Sequence, residues 1–256
     1  MKELTIIVPL VEYTTEMKKM FDTSIGSIIN KDVSVIFIGP SSSIEIVKQY
    51  EWDDKDVLFL ENEKNLTPQY QINKAVKDVK TEYFSILEYD DRYTDFWFDE
   101  VEKYTKHFPN VSLFLPLIEA YDYQRPDLGA VAYANEAVWS SSFSEELGYL
   151  DLESLKNHFN FIVSGGVFRK NDYNIVGGLK NSLEVFFWYE MLLRYCQNDK
   201  KVYVIPKAGY EHMVNREGTM TSIIQEKTQD EIDFWFKTAQ EEYLYKTDRK
   251  KTYNVS

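Results

Sequence analysis

Tyr83-Phe84-Ser85-Ile86-Leu87-Glu88-Tyr89-Asp90-Asp91, residues 83–91, is the stretch that decides the fold. A mostly apolar run stops abruptly at three carboxylates. Such a run, without polar alternation, suits a strand buried on both faces, as in a parallel sheet. In open α/β sheets, ligands bind outside the carboxyl ends of the strands. Three carboxylates gathered there repel one another unless positive charge sits among them. Mg²⁺ or Mn²⁺ takes oxygen ligands of this kind and keeps positions open for phosphate. The plainer alternative is an acidic turn that only caps the next helix.

The flanking sequence places this strand in an alternating pattern. Leu4 to Leu10 is a near-continuous apolar run, read as a first buried strand. Met17, Met20, Phe21, Ile25 and Ile28 follow at helical spacing, with Thr14 or Thr15 as the N-cap. Val33 to Ile38 reads as a second strand ending at Gly39-Pro40-Ser41-Ser42-Ser43, and a short helix through Val47 follows. Val57 to Leu60 is a third strand. Thr67-Pro68 reads as N-cap and first-turn proline, ahead of the stripe Ile72, Ala75, Val76 and Val79. A helix is expected near 95–106 and a strand from Val111 to Ile118. This alternation predicts a mostly parallel, doubly wound sheet.

The second half is less regular. Residues 119–150 read as a long loop with short pieces of structure. Phe161 to Phe168 reads as a strand interrupted at Gly165-Gly166. Residues 184–196 read as a helix, Val202 to Ile205 as a late strand, and 229–246 as an acidic, aromatic helix docked through Ile232, Trp235, Phe236, Ala239 and Tyr243.

Composition removes several function classes. A net charge of −13 argues against a nucleic-acid partner, which calls for a basic face. No run of 18 apolar residues exists, so no membrane span is expected. The single cysteine, Cys196, rules out an intramolecular disulfide, and a cytoplasmic protein is the expectation. No G-x-G-x-x-G follows any predicted strand, which disfavours a dinucleotide-binding dehydrogenase.

Taken together, several segments resemble the family 2 glycosyltransferases, in the right order, over roughly residues 4 to 195. Leu4-Thr5-Ile6-Ile7-Val8-Pro9 is similar to that family's opening strand. Asn73, Val79, Glu82-Tyr83, Leu87, Asp90 and Asp91 fit the register of its acidic segment, with Glu88 standing where the first Asp is usual. Phe168-Arg169-Lys170 and Gly177-Gly178-Leu179 are similar to a later strand and to the turn before a helix. The resemblance implies a GT-A fold: a Rossmann-like, mostly parallel central sheet flanked by helices, with a C-terminal accessory helix. It also implies transfer of a sugar from a nucleotide-diphosphate sugar, by default a UDP-sugar, to an acceptor hydroxyl with Mn²⁺ or Mg²⁺ assistance.

In that reading residues 1–110 form the nucleotide-sugar-binding half. Residues 111–222 bind the acceptor and close the site, and 223–256 form the terminal helix and tail. Asp90, Glu88 and His212 are the expected metal ligands. Pro9, Val11, Glu12, Asn73, Glu88, Asp90 and Arg216 are the expected donor contacts, and Asp91 is a catalytic candidate. Arg216 and Thr219 lie in a Gly-containing loop that suits a lid over a diphosphate.

The departures matter as much. Gly39-Pro40-Ser41-Ser42 lacks the Asp with which the family reads the base, and Ile72 replaces the Arg before Asn73. The family's Glu-Asp pair, whose Asp deprotonates the acceptor in an inverting transfer, corresponds to Phe187-Trp188. Glu184, one helical turn before Trp188, is the expected substitute base. The alternatives are a retaining mechanism, a relative that binds sugar nucleotides without turnover, and a nucleotidyltransferase. That last class opens with a Gly-rich loop, absent from Leu10-Val11-Glu12-Tyr13-Thr14. The acceptor (glycan, protein or small molecule) and the oligomeric state are not written in the sequence.

Overall fold

A computed structural model describes residues 3–52, 55–62, 66–216, 223–224 and 226–241. Among these, nine strands form one sheet: β1 Leu4–Pro9, β2 Ser34–Gly39, β3 Val57–Glu61, β4 Tyr83–Ile86, β5 Arg92–Tyr93, β6 Val111–Asp122, β7 Ala130–Ala134, β8 Val167–Arg169 and β9 Lys201–Val214. The helices are α1 Lys18–Gly26, α2 Ser41–Val47, α3 Pro68–Asp78, α4 Trp97–His107, α5 Leu152–Asn157, α6 Lys170–Val176, α7 Phe187–Gln197 and α8 Gln229–Glu241.

The strand order is β3-β2-β1-β4-β8-β6-β9-β5, with β7 paired to β6. The first four strands are mutually parallel, as their apolar runs and intervening helices dictate. The expectation of a mostly parallel sheet fails beyond them. β8 runs antiparallel between β4 and β6, and β5 and β7 pair antiparallel with β9 and β6. The sheet is mixed because the chain leaves β6 for a long excursion and re-enters the gap beside β4 from the opposite end. β6 and β9 are parallel and much longer than expected, reaching Asp122 and Val214. Reversing β8 leaves β1, β2, β4, β6 and β9 all pointing their carboxyl ends at one edge.

Alternation along β1 sorts the core. Ile7 joins the layer under α3, α6 and α7, with Ile36, Ile72 and Leu192. Ile6 and Val8 join the opposite layer with Phe21, Phe37, Ile44 and Val101. Both faces are thus covered by helices, which is why the strands read as unbroken apolar runs. Local signals act as expected at α3: the Thr67 hydroxyl accepts from the Tyr70 amide, and Pro68 stands in the first turn. The expected terminal helix is present as α8, where Phe236 stacks on Tyr189 at 5.3 Å and Ala239 is buried. Tyr243 lies outside the described residues.

The expected helix over 184–196 begins only at Phe187. Phe186 sits in the left-handed region at φ 60° and turns the chain just before it. Glu184 therefore precedes the helix and does not lie one turn above Trp188. The expected strand over 161–168 shrinks to Val167–Arg169, because Gly165 at φ 77° bends the preceding segment out of the ladder.

Candidate active site

The acidic turn sits at the common edge. The Leu87 amide still donates to Ile7 O at 2.9 Å, and then the chain leaves the sheet. The Tyr210 hydroxyl accepts from the Glu88 amide at 3.0 Å, and the Asp91 amide closes a turn onto Glu88 O at 3.1 Å. The chain then returns to the sheet as β5, placing Arg92 opposite Glu211 and Tyr93 opposite Tyr210. Gly165 makes room here: a β-carbon on it would stand 2.4 Å from the Tyr210 ring. The neighbouring Ser164 hydroxyl donates to Glu88 Oε1 at 3.1 Å.

β9 and the residue stretch after it bring the cations. His212 Nδ1 donates to Asp91 Oδ2 at 2.9 Å, and the Met213 amide donates to Asp91 Oδ1 at 2.8 Å. Asp91 is fully buried, with both oxygens engaged. Arg216 donates from Nε at 2.9 Å and Nη2 at 2.5 Å, both to Asp90 Oδ2. Its guanidinium also lies 5.1 Å from the centre of the Tyr89 ring.

Protonation follows from this packing. Burial pushes Glu88 up, the Asp91 and Asp90 charges add to it, and its carboxyl reaches about 7. Burial and the Asp91 charge likewise raise Asp90, while Arg216 acts in the opposite sense. At His212 burial favours the neutral ring, but Asp91, Asp90 and Glu88 together outweigh it and carry the imidazole up to about 9. At neutral pH the turn therefore faces two cations, Arg216 and His212.

The residues expected from sequence divide into two groups. Glu88, Asp90, Asp91, His212 and Arg216 converge, although His212 and Arg216 are 121 and 126 residues from their partners. Pro9 ends β1 at the same edge and is buried, and Val11 and Glu12 lie just beyond it, exposed. Asn73 does not join them. Its amide is spent on Leu179, donating to Leu179 O at 2.7 Å and accepting from Leu179 N at 2.9 Å, so it is a structural clamp and not a free donor contact. Glu184 is exposed and paired with Lys227 at 2.7 Å. Phe187 is buried in the core and Trp188 stacks on Phe168, so no proton acceptor stands at those positions. Thr219 lies outside the described residues.

The metal set expected from sequence is not assembled. Among the described residues, no group of three or more His, Cys, Asp or Glu side chains could hold a metal ion. Asp91 is taken by His212 and a backbone amide, and Asp90 by Arg216. As arranged, these residues do not fit a divalent cation. Sequence reasoning missed Tyr210, Ser164 and the Met213 amide, which hold the turn in place. Only the glycine pair after Ser164 hinted at a close approach there.

No protein-family model matches the chain. A search of curated proteins finds an uncharacterized glycosyltransferase of Methanocaldococcus jannaschii, 27% identical over 220 residues, covering 83% of this chain and 72% of that protein. Among solved structures, residues 1–349 of S. aureus TarS match with a TM-score of 0.63 at 16% identity, over 83% of this chain. The same TarS segment in complex with UDP-GlcNAc matches with a TM-score of 0.65 at 15% identity, over 87% of this chain. The chain spans 60% and 61% of those two structures. The chain is thus similar in sequence to a protein named a glycosyltransferase and in fold to TarS, in keeping with the family 2-like resemblance. No helix among the described residues is long and apolar enough to cross a membrane.

Proposed function

We propose that this chain transfers a sugar from a nucleotide-diphosphate sugar to an acceptor hydroxyl. One observation carries the reading: the Glu88–Asp91 turn stands at the carboxyl edge of the parallel strands, with His212 of β9 and Arg216 just after that strand brought onto it. The M. jannaschii relative is named a glycosyltransferase, and a fold neighbour has been solved with UDP-GlcNAc, which supports a UDP-sugar as donor.

The chemistry asked of these residues is modest. Transfer leaves negative charge on the departing diphosphate, and pre-placed cations in a partly dehydrated site stabilise that charge without reorganising. Arg216 presents a planar fork suited to phosphate oxygens. His212, oriented by Asp91, offers its other ring nitrogen as a charged donor. Val11 and Glu12 sit where the nucleoside would lie. Residues 1–110 would hold the donor and 111–222 the acceptor.

A second reading is favoured by a specific observation. Phe187 and Trp188 fill the place of the family's Glu-Asp pair, and Glu184 precedes the helix, tied to Lys227. A protein that binds sugar nucleotides without transferring them would look like this. Thermal unfolding with a panel of nucleoside diphosphates and sugar nucleotides, each with Mn²⁺, Mg²⁺ or chelator, tests the shared part. A ligand bound only by the folded state raises the midpoint. We expect one nucleotide to raise it by several degrees, and Asp90→Ala to abolish the rise. Product analysis with that sugar nucleotide then separates the readings: transfer or hydrolysis supports the enzyme, and binding without turnover supports the second reading. No shift with any nucleotide at millimolar concentration would remove both.

A further inference from the structure

β6 and β9 end together, with Asp122 closing β6 opposite Val214, the last residue of β9. Asp122 is 3% exposed and its carboxylate is engaged by three donors. Oδ1 accepts from the Gln124 amide at 2.8 Å, and Oδ2 accepts from Asn215 Nδ2 at 2.9 Å and Arg125 Nε at 3.3 Å. The Tyr123 amide adds a bond to Val214 O at 3.1 Å. Asn215 itself lies in the left-handed region at φ 60°, which Asn enters more readily than most residues with a side chain.

The bend at Asn215 decides where the next side chain goes. A strand advances about 3.3 Å per residue, so an unbroken β9 would carry residue 216 about 13 Å beyond His212. Instead His212 and Arg216 grip adjacent carboxylates, Asp91 and Asp90, and Arg216 Nε reaches Asp90 Oδ2 at 2.9 Å.

We infer that Asp122 and Asn215 are positioning residues for Arg216. The carboxylate ending β6 holds the Asn215 side chain, Asn215 bends the chain, and the bend sets the guanidinium on Asp90 before any ligand arrives. Their part in transfer rests on the reading of the acidic turn as the donor's diphosphate site, where a cation placed beforehand needs no reorganisation.

The test reads Arg216 directly, by ¹⁵N-edited nuclear magnetic resonance of the arginine Nε–H groups of the full chain without ligand. The Arg216 signal is assigned by its loss in Arg216→Lys. It should be slow to exchange in the wild type and exchange at least tenfold faster in Asn215→Val, whose β-branched side chain resists a positive φ. Asn215→Gly permits the bend and should recover most of that protection. Asp122→Ala removes the anchor from the other strand and should also speed exchange, which keeps the question readable if Asn215→Val folds poorly. Arg125→Ala removes another partner of Asp122 and leaves Asn215 bonded, so protection should change less than threefold. UDP affinity is then compared across the same proteins. Asn215→Val should weaken it at least fivefold, and adding Arg216→Ala should weaken it no further than Arg216→Ala alone. Unchanged protection in Asn215→Val and Asp122→Ala would overturn the inference, as would an equal loss in Arg125→Ala or additive losses of UDP affinity. Loss of the Arg216 signal as expected, with no protein binding UDP, removes the donor reading alone. UDP binding with the signal unmoved removes this inference alone.

Discussion

His212 carries a proton that its surroundings hold in place. Burial opposes the charge, yet Asp91 at 2.9 Å and the two further carboxylates bring the ring up to about 9 from an ordinary 6.5. The folded state therefore binds this proton more tightly than the unfolded state. The pair's contribution to stability is full below about pH 6.5 and is lost as pH rises through about 9. Urea unfolding from pH 6 to 9.5 should show wild-type stability falling across that window, with His212→Gln less stable at pH 6 and flat once pH is well above the Glu88 value of about 7. Glu88 moves the same way for a different reason, since its raised value of about 7 makes ionisation a cost of folding. At this scale the sequence was legible where chemistry is written in one residue type, as in Glu88, Asp90, Asp91, His212 and Arg216. Tyr210 and Ser164 were not, because a hydroxyl's role depends on strand register. Nothing local reveals that Tyr210 lies beside an amide 122 residues earlier.

Two turns show how an element's beginning and end decide what its side chains can do. Gly178 at φ 68° lies so close to α3 that a β-carbon there would stand 2.6 Å from Asn73 Oδ1. That closeness lets Asn73 pair with both polar groups of Leu179, with Tyr173 adding a bond at 2.8 Å. Asn73→Ala would leave Leu179 O and the Tyr173 hydroxyl proton without this partner, at about 1–3 kcal/mol each, while the Leu179 amide keeps the Tyr173 oxygen at 3.2 Å. We expect a loss of about 2–4 kcal/mol in urea unfolding, with nucleotide affinity at the Glu88–Asp91 turn little changed. The start of α7 matters for the opposite reason. Helical spacing gave Glu184 a place above Trp188, but the left-handed Phe186 breaks that spacing. A non-glycine residue in this conformation carries no clear sequence mark. Glu184→Gln breaks only an exposed pair with Lys227 and should cost less than about 1 kcal/mol. If product analysis shows transfer, its rate should change by less than threefold in this variant.

Across the whole molecule, the parallel strands β1 to β4 were legible because each is an apolar run bounded by turn residues and followed by a helical stripe. The mixed half was not. β8 is three residues long and takes its place from neighbours on either side, not from its own pattern. The long reach of β6 and β9 was hidden because polar residues such as Glu119, Glu211 and His212 end the apolar signal before the strands end. Because β8 links β4 to β6, the two halves share one hydrogen-bonded sheet. Far-UV circular dichroism and tryptophan fluorescence should therefore report coincident denaturant transitions. Separate midpoints would show that the halves unfold independently.

The placement of β8 also bears on attempts to split the chain. A piece ending near residue 110 would keep the acidic turn but lose both of its cations, Tyr210 and the strand beside β4. It would present a bare sheet edge topped by three crowded negative charges. The two halves are thus not exchangeable cassettes, and a chimera or split reporter joined at that boundary would have to rebuild the sheet before it could rebuild the site.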